Sequence, residues 1–465
     1  QPMHLIDTIA AIATPPGVGG VGIIRLSGPD AMPMAQGLFR DWGMRPLDPP
    51  LPERTGRQVH VGHLVEPRTG ETLDEIVMLV FRAPHSYTTE DVVELQCHAG
   101  PAVMQRILAV VLAQGARLAA AGEFTKRAFL GGRIDLTQAE AIAEISSART
   151  ERALSTAVGQ LEGHLARATS ALRAPVKHLL AELEASIDFP DEIDAPSTER
   201  MRETLDDLMR RASELLATAE GGRLLREGAS LAIVGRPNVG KSSLLNALLQ
   251  ADRAIVTDVA GTTRDVLEAG LSIKGVPFQV LDTAGIRAEG ADLVERIGIE
   301  RSRAALKAAD LRLVVLEAGT DPGSEDLAIW TAAQQAGPTL IVINKIDRCS
   351  VVEPLKGLPS GVQTVAISAR TGTGLADLEQ AIYDVAVGAA LAPVQAVAIN
   401  ARHHAALLRA QESLGKAHES VAGGFAADFV AIDLRDAVEA LGEITGEDLK
   451  EEVIDHIFAS FCVGK

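Results

Sequence analysis

The stretch GRPNVGKSS, residues 235–243, follows the apolar run LAIVG and precedes the helical run SSLLNALLQ. It is G-x-x-x-x-G-K-S with a strand before it and a helix after it, the setting in which the motif cradles phosphates. Gly235 and Gly240 let the chain wrap tightly, so that the amides of Asn238, Val239, Gly240, Lys241, Ser242 and Ser243 face an anion at a helix N-terminus. Lys241 is expected to reach the terminal phosphates and Ser242 to ligate Mg²⁺. Around this loop, apolar β runs alternate with helical stretches from about 223 to 384: LAIVG, FQVLDTAG, LRLVVLEA, TLIVINK and VQTVAIS. Such alternation predicts a mostly parallel sheet with helices on both faces.

Further elements come in order along the chain. TDVAGTTRD supplies Thr257, Asp258, Val259, Ala260, Gly261, Thr262 and Thr263, with Thr263 placed to bind Mg²⁺ and the γ-phosphate. DTAG supplies Asp282, Thr283, Ala284 and Gly285, with Asp282 following a strand as a Walker-B carboxylate does. NKID brings Asn344, Lys345 and Asp347, whose carboxylate accepts from the guanine N1–H and exocyclic amine. SAR brings Ser368, Ala369 and Arg370, with amides for the guanine carbonyl. Together these elements specify GTP. Two positions are unusual. Ile286 stands where a water-orienting glutamine stands in Ras-like GTPases, and it cannot hydrogen-bond. Glu295, in LVERIGIER, is the nearest carboxylate for that task, or else a plain helix-surface residue. Asn238 either ligates a monovalent cation beside the phosphates or only supports the loop.

The flanks are different. Residues 5 to about 125 mix short β runs (DTIAAIAT, VGIIRLS, EIVMLVF, DVVELQCH) with Gly/Pro turns and one helix around 101–114, an α+β pattern. GVGGVG at 17–22 spells a dinucleotide fingerprint, but IIRLS comes after it and reads as a strand, whereas the fingerprint needs a helix. It is therefore a glycine-rich hairpin connection. Arg25, alone in the apolar run after it, calls for an anionic partner. From about 126 the texture is helical, with Leu205, Leu208, Met209, Ala212, Leu215 and Leu216 on one stripe. DFPDEIDAPST at 188–198 interrupts it, and Ser197 or Thr198 is placed to cap the next helix. Helices resume after 384. The economical division is 1–125, a helical domain from 126–222 and 385–465, and the α/β module 223–384 inserted between its halves.

Composition bounds the rest. A net charge of -18, from 62 acidic and 44 basic side chains, repels phosphate backbones, and 3% aromatics leave few stacking platforms for single strands. Nucleic-acid binding by this chain alone is expected to be weak and salt-sensitive. Three scattered cysteines, Cys97, Cys349 and Cys462, argue against a disulfide framework and for a reducing cytoplasm. The sequence shows no apolar run of spanning length, and no membrane role is expected. The terminal FCVGK places Cys462 fourth from the end, open to prenylation, redox, nucleophilic or packing roles. Gly464 and Lys465 make it a poor prenylation signal.

The sequence resembles the MnmE family (also called TrmE), bacterial GTPases of tRNA modification. The resemblance rests on DTIAAIATPPGVGGVGIIRLSG, EDVVELQCHAGP, GEFTKRAFLGGRIDLTQAEA, GRPNVGKSSLLNAL, IVTDVAGTTRD, DTAGIR, VERIGIERS and CVGK. It implies a tetrahydrofolate-binding N-terminal domain through which the chain forms a homodimer, a discontinuous helical domain, and an inserted Ras-like G domain. It implies work with an FAD-containing partner, MnmG, on the wobble uridine of certain tRNAs. The product is an aminomethyl-type group at C5, its methylene carbon coming from 5,10-methylene-tetrahydrofolate, of which 5-formyl-tetrahydrofolate is an analogue. It further implies K⁺-dependent G-domain dimerisation, with Asn238, Thr257, Val259 and Thr262 as K⁺ ligands and Glu295 orienting water. The implied folate contacts are Arg25, Glu94, Arg133 and Lys465, with Arg where lysine is expected at 133, and Cys462 close to the one-carbon unit. The competing class is a regulatory or assembly GTPase whose only chemistry is hydrolysis; folate binding separates the two.

Overall fold

The computed structural model describes residues 7–53, 55–251, 269–281, 305–349, 361–388, 399–447 and 449–464. They form two compact units, Gln1–Ala143 with Val438–Lys465, and Glu144–Ala437. Among the described residues no helix is long and apolar enough to cross a membrane.

The first unit is built on a seven-stranded sheet in the order β3-β4-β5-β6-β2-β1-β7. Its strands are β1 (Ile9–Ile12), β2 (Gly19–Ser27), β3 (Phe39–Arg40), β4 (Gln58–Val65), β5 (Thr72–Phe81), β6 (Val92–Ala99) and β7 (Arg117–Leu118). β1 and β2 pair antiparallel, and the glycine run at 17–22 ends the connection and opens β2 at Gly19, with a strand rather than a helix after it as its sequence predicts. Period-2 alternation decides which side chains face which way. Ile24 and Leu26 of β2, with Val93 and Leu95 of β6, point to one face. There α1 (Ala31–Leu38) and α2 (Pro101–Ala113) cover them with Met32, Ala35, Ile107 and Val111. Burying each large apolar side chain contributes roughly 1.5–3 kcal/mol. Arg25 and Glu94, directly opposite one another in the ladder, therefore point to the other face. On that side lie α3 (Glu123–Leu130) and α14 (Glu451–Ala459), joined by the Lys126–Asp455 ion pair.

The second unit holds a six-stranded sheet in the order β13-β12-β11-β8-β10-β9. These are β8 (Ala229–Val234), β9 (Ala269–Ile273), β10 (Val276–Leu281), β11 (Leu311–Glu317), β12 (Thr339–Asn344) and β13 (Thr364–Ala366). All neighbouring pairs are parallel except the β9–β10 hairpin. β11 is buried along both faces, which is why LRLVVLE reads as a continuous apolar run rather than an alternating one. α9 (Lys241–Ala251), α10 (Ser324–Ala336) and α11 (Leu375–Val387) belong to this sheet. Among the described residues this unit also holds the helices α5 (Glu151–Leu161), α6 (His164–Asp188), α7 (Thr198–Leu216), α8 (Ala219–Glu227) and α12 (Ala401–Ala422). The chain passes between units within α4 (Leu136–Ser147) and α13 (Ala427–Thr445).

Helix boundaries follow local chemistry. Ser197 caps α7 by accepting from the Arg200 amide at 3.4 Å, and Asn400 caps α12 by accepting from the His403 amide at 2.9 Å. Of the expected α7 stripe, Leu205, Leu208, Ala212 and Leu215 are buried, whereas Met209 and Leu216 are only half-buried at its margin. The buried stripe packs on α12, where Ala406, Ala410 and Ala417 are buried.

Candidate functional site

The phosphate loop leaves the C-terminal end of β8, where ligands of open parallel sheets gather. Gly235 has φ 150°, and a Cβ there would sit 2.5 Å from the Val315 carbonyl oxygen. Gly240, at φ 99°, would drive a Cβ into the Asn344 amide nitrogen at 2.3 Å. Both glycines are thus required by close approach. Between them the exposed Asn238 adopts left-handed geometry at φ 63°, while Val239 anchors the loop in the core. Lys241 opens α9, its ammonium donating at 2.7 Å to the carbonyls of both Gly235 and Arg236. Burial pushes its pKa down, which an adjacent polyphosphate would offset. Ser242 and Ser243 follow in the first turn of α9. Arg236 pairs at 2.7 Å with Asp326, a buried carboxylate that also accepts from the Gly323 amide at 2.9 Å and so caps α10.

Asn344, at the end of β12 and 2% exposed, ties three loops together. Its amide nitrogen donates to the Val239 carbonyl at 3.0 Å, and its oxygen accepts from the Lys345 amide at 2.8 Å and the Ala369 amide at 3.0 Å. The NKID and SAR segments are thereby fixed against the phosphate loop. Asp347 accepts from the Ser368 hydroxyl at 2.6 Å and pairs with Arg370 at 3.3 Å. The Ser368 hydroxyl, with Arg370 beside it, holds the Asp347 carboxyl below the usual aspartate range. Lys345, at φ 68°, pairs with Glu317 at 2.9 Å. Thr257, Asp258, Val259, Ala260, Gly261, Thr262, Thr263, Asp282, Thr283, Ala284, Gly285, Ile286 and Glu295 lie outside the described residues.

In the first unit, Arg25, Glu94 and Arg133 line one cavity of about 610 Å³, together with Arg57, His85 and Tyr87. The arginine in the apolar run has the anionic partner its position requires: its Nε lies 2.8 Å from Glu94 Oε1. Its guanidinium is also flanked by aromatic faces, 5.3 Å from the Tyr87 centroid and 5.5 Å from that of Phe124. Arg133 stacks on Tyr87 at 4.9 Å and donates to the Tyr87 carbonyl at 2.9 Å. Tyr87 is therefore a central site residue that the sequence reading missed; an isolated tyrosine after Pro and His carries no spacing signal. Its loop is held by a buried network. Ser27 and Thr88 share a hydrogen bond at 2.6 Å, Ser27 donates to Glu90, and Arg127, with a side chain 1% exposed, joins Glu90, Glu123 and Asp7. Burial works against the charge of Arg127, but the bonds to Glu123 and Glu90 outweigh it and raise its pKa.

The C-terminal tail touches one residue of this cavity, Arg25. Val463 bridges Ala121, the Cys462 carbonyl accepts from the Gly122 amide at 3.3 Å, and the Gly464 carbonyl accepts from Arg25 at 3.4 Å. Phe461 is the buried anchor; Cys462 is exposed, so the packing role is taken by its neighbour. Cys462 is not among the cavity's lining residues. Lys465 lies outside the described residues. Burial pushes the Cys97 thiol up to about 11, which leaves it inert at neutral pH.

A family model described as the MnmE helical domain matches residues 136–462, and one described as the GTP-binding protein TrmE N-terminus matches residues 8–133. The tRNA modification GTPase MnmE of Geobacillus thermodenitrificans is 44% identical over 468 residues, covering 100% of both chains. That of Chloroflexus aurantiacus is 48% identical over 466 residues, covering 99% of this chain and 100% of the relative. Among solved structures, an Aquifex aeolicus Era variant bound to GDP.AlF4- is 27% identical with a TM-score of 0.28, over 40% of this chain and 66% of that one, a likeness too slight to carry an argument.

Proposed function

The chain belongs to the MnmE family of tRNA modification GTPases and is a GTP hydrolase; from that premise we propose that it is a K⁺-stimulated GTPase coupled to a folate-dependent modification of the tRNA wobble uridine. In this reading an FAD-containing partner, MnmG, works with a homodimer of this chain formed through the N-terminal domains in the cytoplasm. Together they place an aminomethyl-type group on uridine C5, the one-carbon unit coming from 5,10-methylene-tetrahydrofolate. The boundaries proposed are 1–125, 126–222, 223–384 and 385–465.

Each role has a physical basis. Lys241 and the amides of residues 238–243 hold the β- and γ-phosphates, and Ser242 and Thr263 hold Mg²⁺. Asp347 selects guanine over adenine. Asn238, with Thr257, Val259 and Thr262, holds K⁺, which supplies positive charge where an arginine finger otherwise acts. The exposed, left-handed placement of Asn238 beside the phosphate loop suits such a ligand. Glu295 orients the water whose oxygen attacks the γ-phosphorus as its bond to the GDP oxygen breaks.

The observation that favours this reading over a purely regulatory GTPase is the convergence of Arg25, Glu94 and Arg133 on one cavity far in sequence from the nucleotide loops, with the tail bonded to Arg25. A carboxylate paired with one guanidinium, in a cavity that also holds a second guanidinium stacked on an aromatic face, suits a pterin-type ring that both donates and accepts hydrogen bonds and also bears an anionic tail. Calorimetric titration of the full chain with 5-formyl-tetrahydrofolate tests it. Binding that is lost in Arg25→Ala while GTP turnover persists is expected. Absence of binding by a wild-type protein with full GTPase activity would favour the regulatory class.

A further inference from the structure

Two anchors bracket the tip of the phosphate loop. On the side nearer α9, Val239 is buried in the core of the sheet and its carbonyl accepts from the Asn344 amide nitrogen at 3.0 Å. On the side nearer β8 stands Arg236, whose Nε donates to Asp326 Oδ1 at 2.7 Å. Asp326 lies in the first turn of α10, with a side chain only 1% exposed, and its other oxygen accepts from the Gly323 amide at 2.9 Å. Both carboxylate oxygens are thus committed, one to the start of its own helix and one to the loop. The helix is a fixed post, because Trp330 and Ala333 seat it in the apolar core with residues of β11 and β12.

Between the anchors lie only Pro237 and Asn238. Proline fixes its own φ and disfavours helical backbone at the residue before it, and Asn238 then turns back at φ 63°. The path of this tip therefore follows from where Arg236 is held. The Arg236 carbonyl, with that of Gly235, also takes the Lys241 ammonium at 2.7 Å. The residue that Asp326 grips is thus one of the two that steady the lysine of the motif.

We infer that Asp326 is a positioning residue for nucleotide binding: through Arg236 it ties the start of the phosphate loop to α10 and holds the loop in the shape that presents its amides and Lys241 to the phosphates. Once the tie is cut, the competent shape is a smaller share of the population, and apparent affinity falls by that share. The sign of the effect separates this role from a plain electrostatic one. Removing a negative charge near a polyanion should tighten its binding by Coulomb's law, whereas cutting the tie should weaken it.

Titration of the full chain with a fluorescent GDP analogue in Mg²⁺ tests the assignment, each variant being measured well below its own Tm. Asp326→Asn, which keeps an acceptor for the Gly323 amide and removes the charge, is expected to weaken GDP binding on the order of tenfold. Arg236→Gln, which strips the buried carboxylate of its cation, should lose as much. Arg236→Lys, which restores the charge, should recover most of that loss. The double variant Arg236→Gln with Asp326→Asn should lose no more than the worse single one, since both changes break one interaction. GDP bound by Asp326→Asn as tightly as by wild type, or more tightly, would overturn the inference. So would Arg236→Lys binding no better than Arg236→Gln, and this pair decides alone where Asp326→Asn fails to fold.

Discussion

Replacing Asn344 by alanine removes one small side chain and unties three loops. Its amide nitrogen serves the Val239 carbonyl, and its oxygen serves the amides of Lys345 and Ala369. Leaving a buried polar group without its partner costs about 1–3 kcal/mol. Three such groups at a site 2% exposed, with partial recovery by water and local relaxation, bring the total to about 3 kcal/mol. The fold's cores lie elsewhere, so this energy comes out of the arrangement that binds nucleotide. When the competent arrangement is a smaller fraction of the population, apparent affinity falls by that fraction. At 1.4 kcal/mol per tenfold, GDP binding should weaken roughly a hundredfold. Titration with a fluorescent GDP analogue measures this, and circular dichroism shows whether the helices persist. Affinity within threefold of wild type, in a protein of unchanged spectrum, would refute the claim that Asn344 holds the three loops. Asn344→Asp should be at least as damaging, since it keeps the acceptor but turns a second carboxylate oxygen on the Val239 carbonyl.

Three further outcomes are expected. The Asp347 carboxyl is depressed by the Ser368 hydroxyl, so its ionised form is favoured in the fold. Its contribution to guanine recognition is then complete above about pH 4, the ordinary aspartate value, and fades only as the pH drops through the depressed value; Ser368→Ala should move that fading to higher pH in a GDP-binding profile. Glu94→Gln removes the carboxylate from Arg25 and should weaken 5-formyl-tetrahydrofolate binding at least tenfold, consistent with about 1.5–3 kcal/mol for a hydrogen bond to a charged group, while leaving GTP turnover within twofold; equal affinity by calorimetry would remove Glu94 from the ligand site. Gly464→Ala places a methyl 2.2 Å from the Ile12 carbonyl oxygen at φ 95° and should detach the tail, read as faster proteolysis after Phe461; an unchanged digestion pattern would contradict the seating of the tail.

The nucleotide-binding half was legible because its chemistry is local. Glycine and lysine positions in the phosphate loop, and apolar runs for parallel strands, are set by neighbours in sequence. Arg25 was legible in a different way, as a charge in an apolar strand that had to find a counter-charge, and the ladder places Glu94 opposite it. The features that could not be read depend on distant partners. The α1 helix was missed because its proline, glycine and short length give no clear period, yet Met32, Ala35 and Leu38 find a sheet to cover. Tyr87 carries no motif, and its importance comes from two arginines that reach it from β2 and the loop after α3. Asp326 looks like an ordinary charge near a helix start until Arg236 of the phosphate loop closes against it.

The left-handed backbone at Asn238 governs how its side chain can be interrogated. Asparagine accepts that conformation with little penalty, whereas alanine pays roughly 1–2 kcal/mol to adopt it. An alanine variant would thus confound the loss of an amide oxygen with a loop pushed out of shape, and reduced turnover would accuse the wrong atom. Glycine tolerates the same φ freely. The informative comparison is Asn238→Gly against Asn238→Ala, assayed in K⁺ and in Na⁺: the effect the two share reports on the oxygen, and the difference between them reports on the backbone alone.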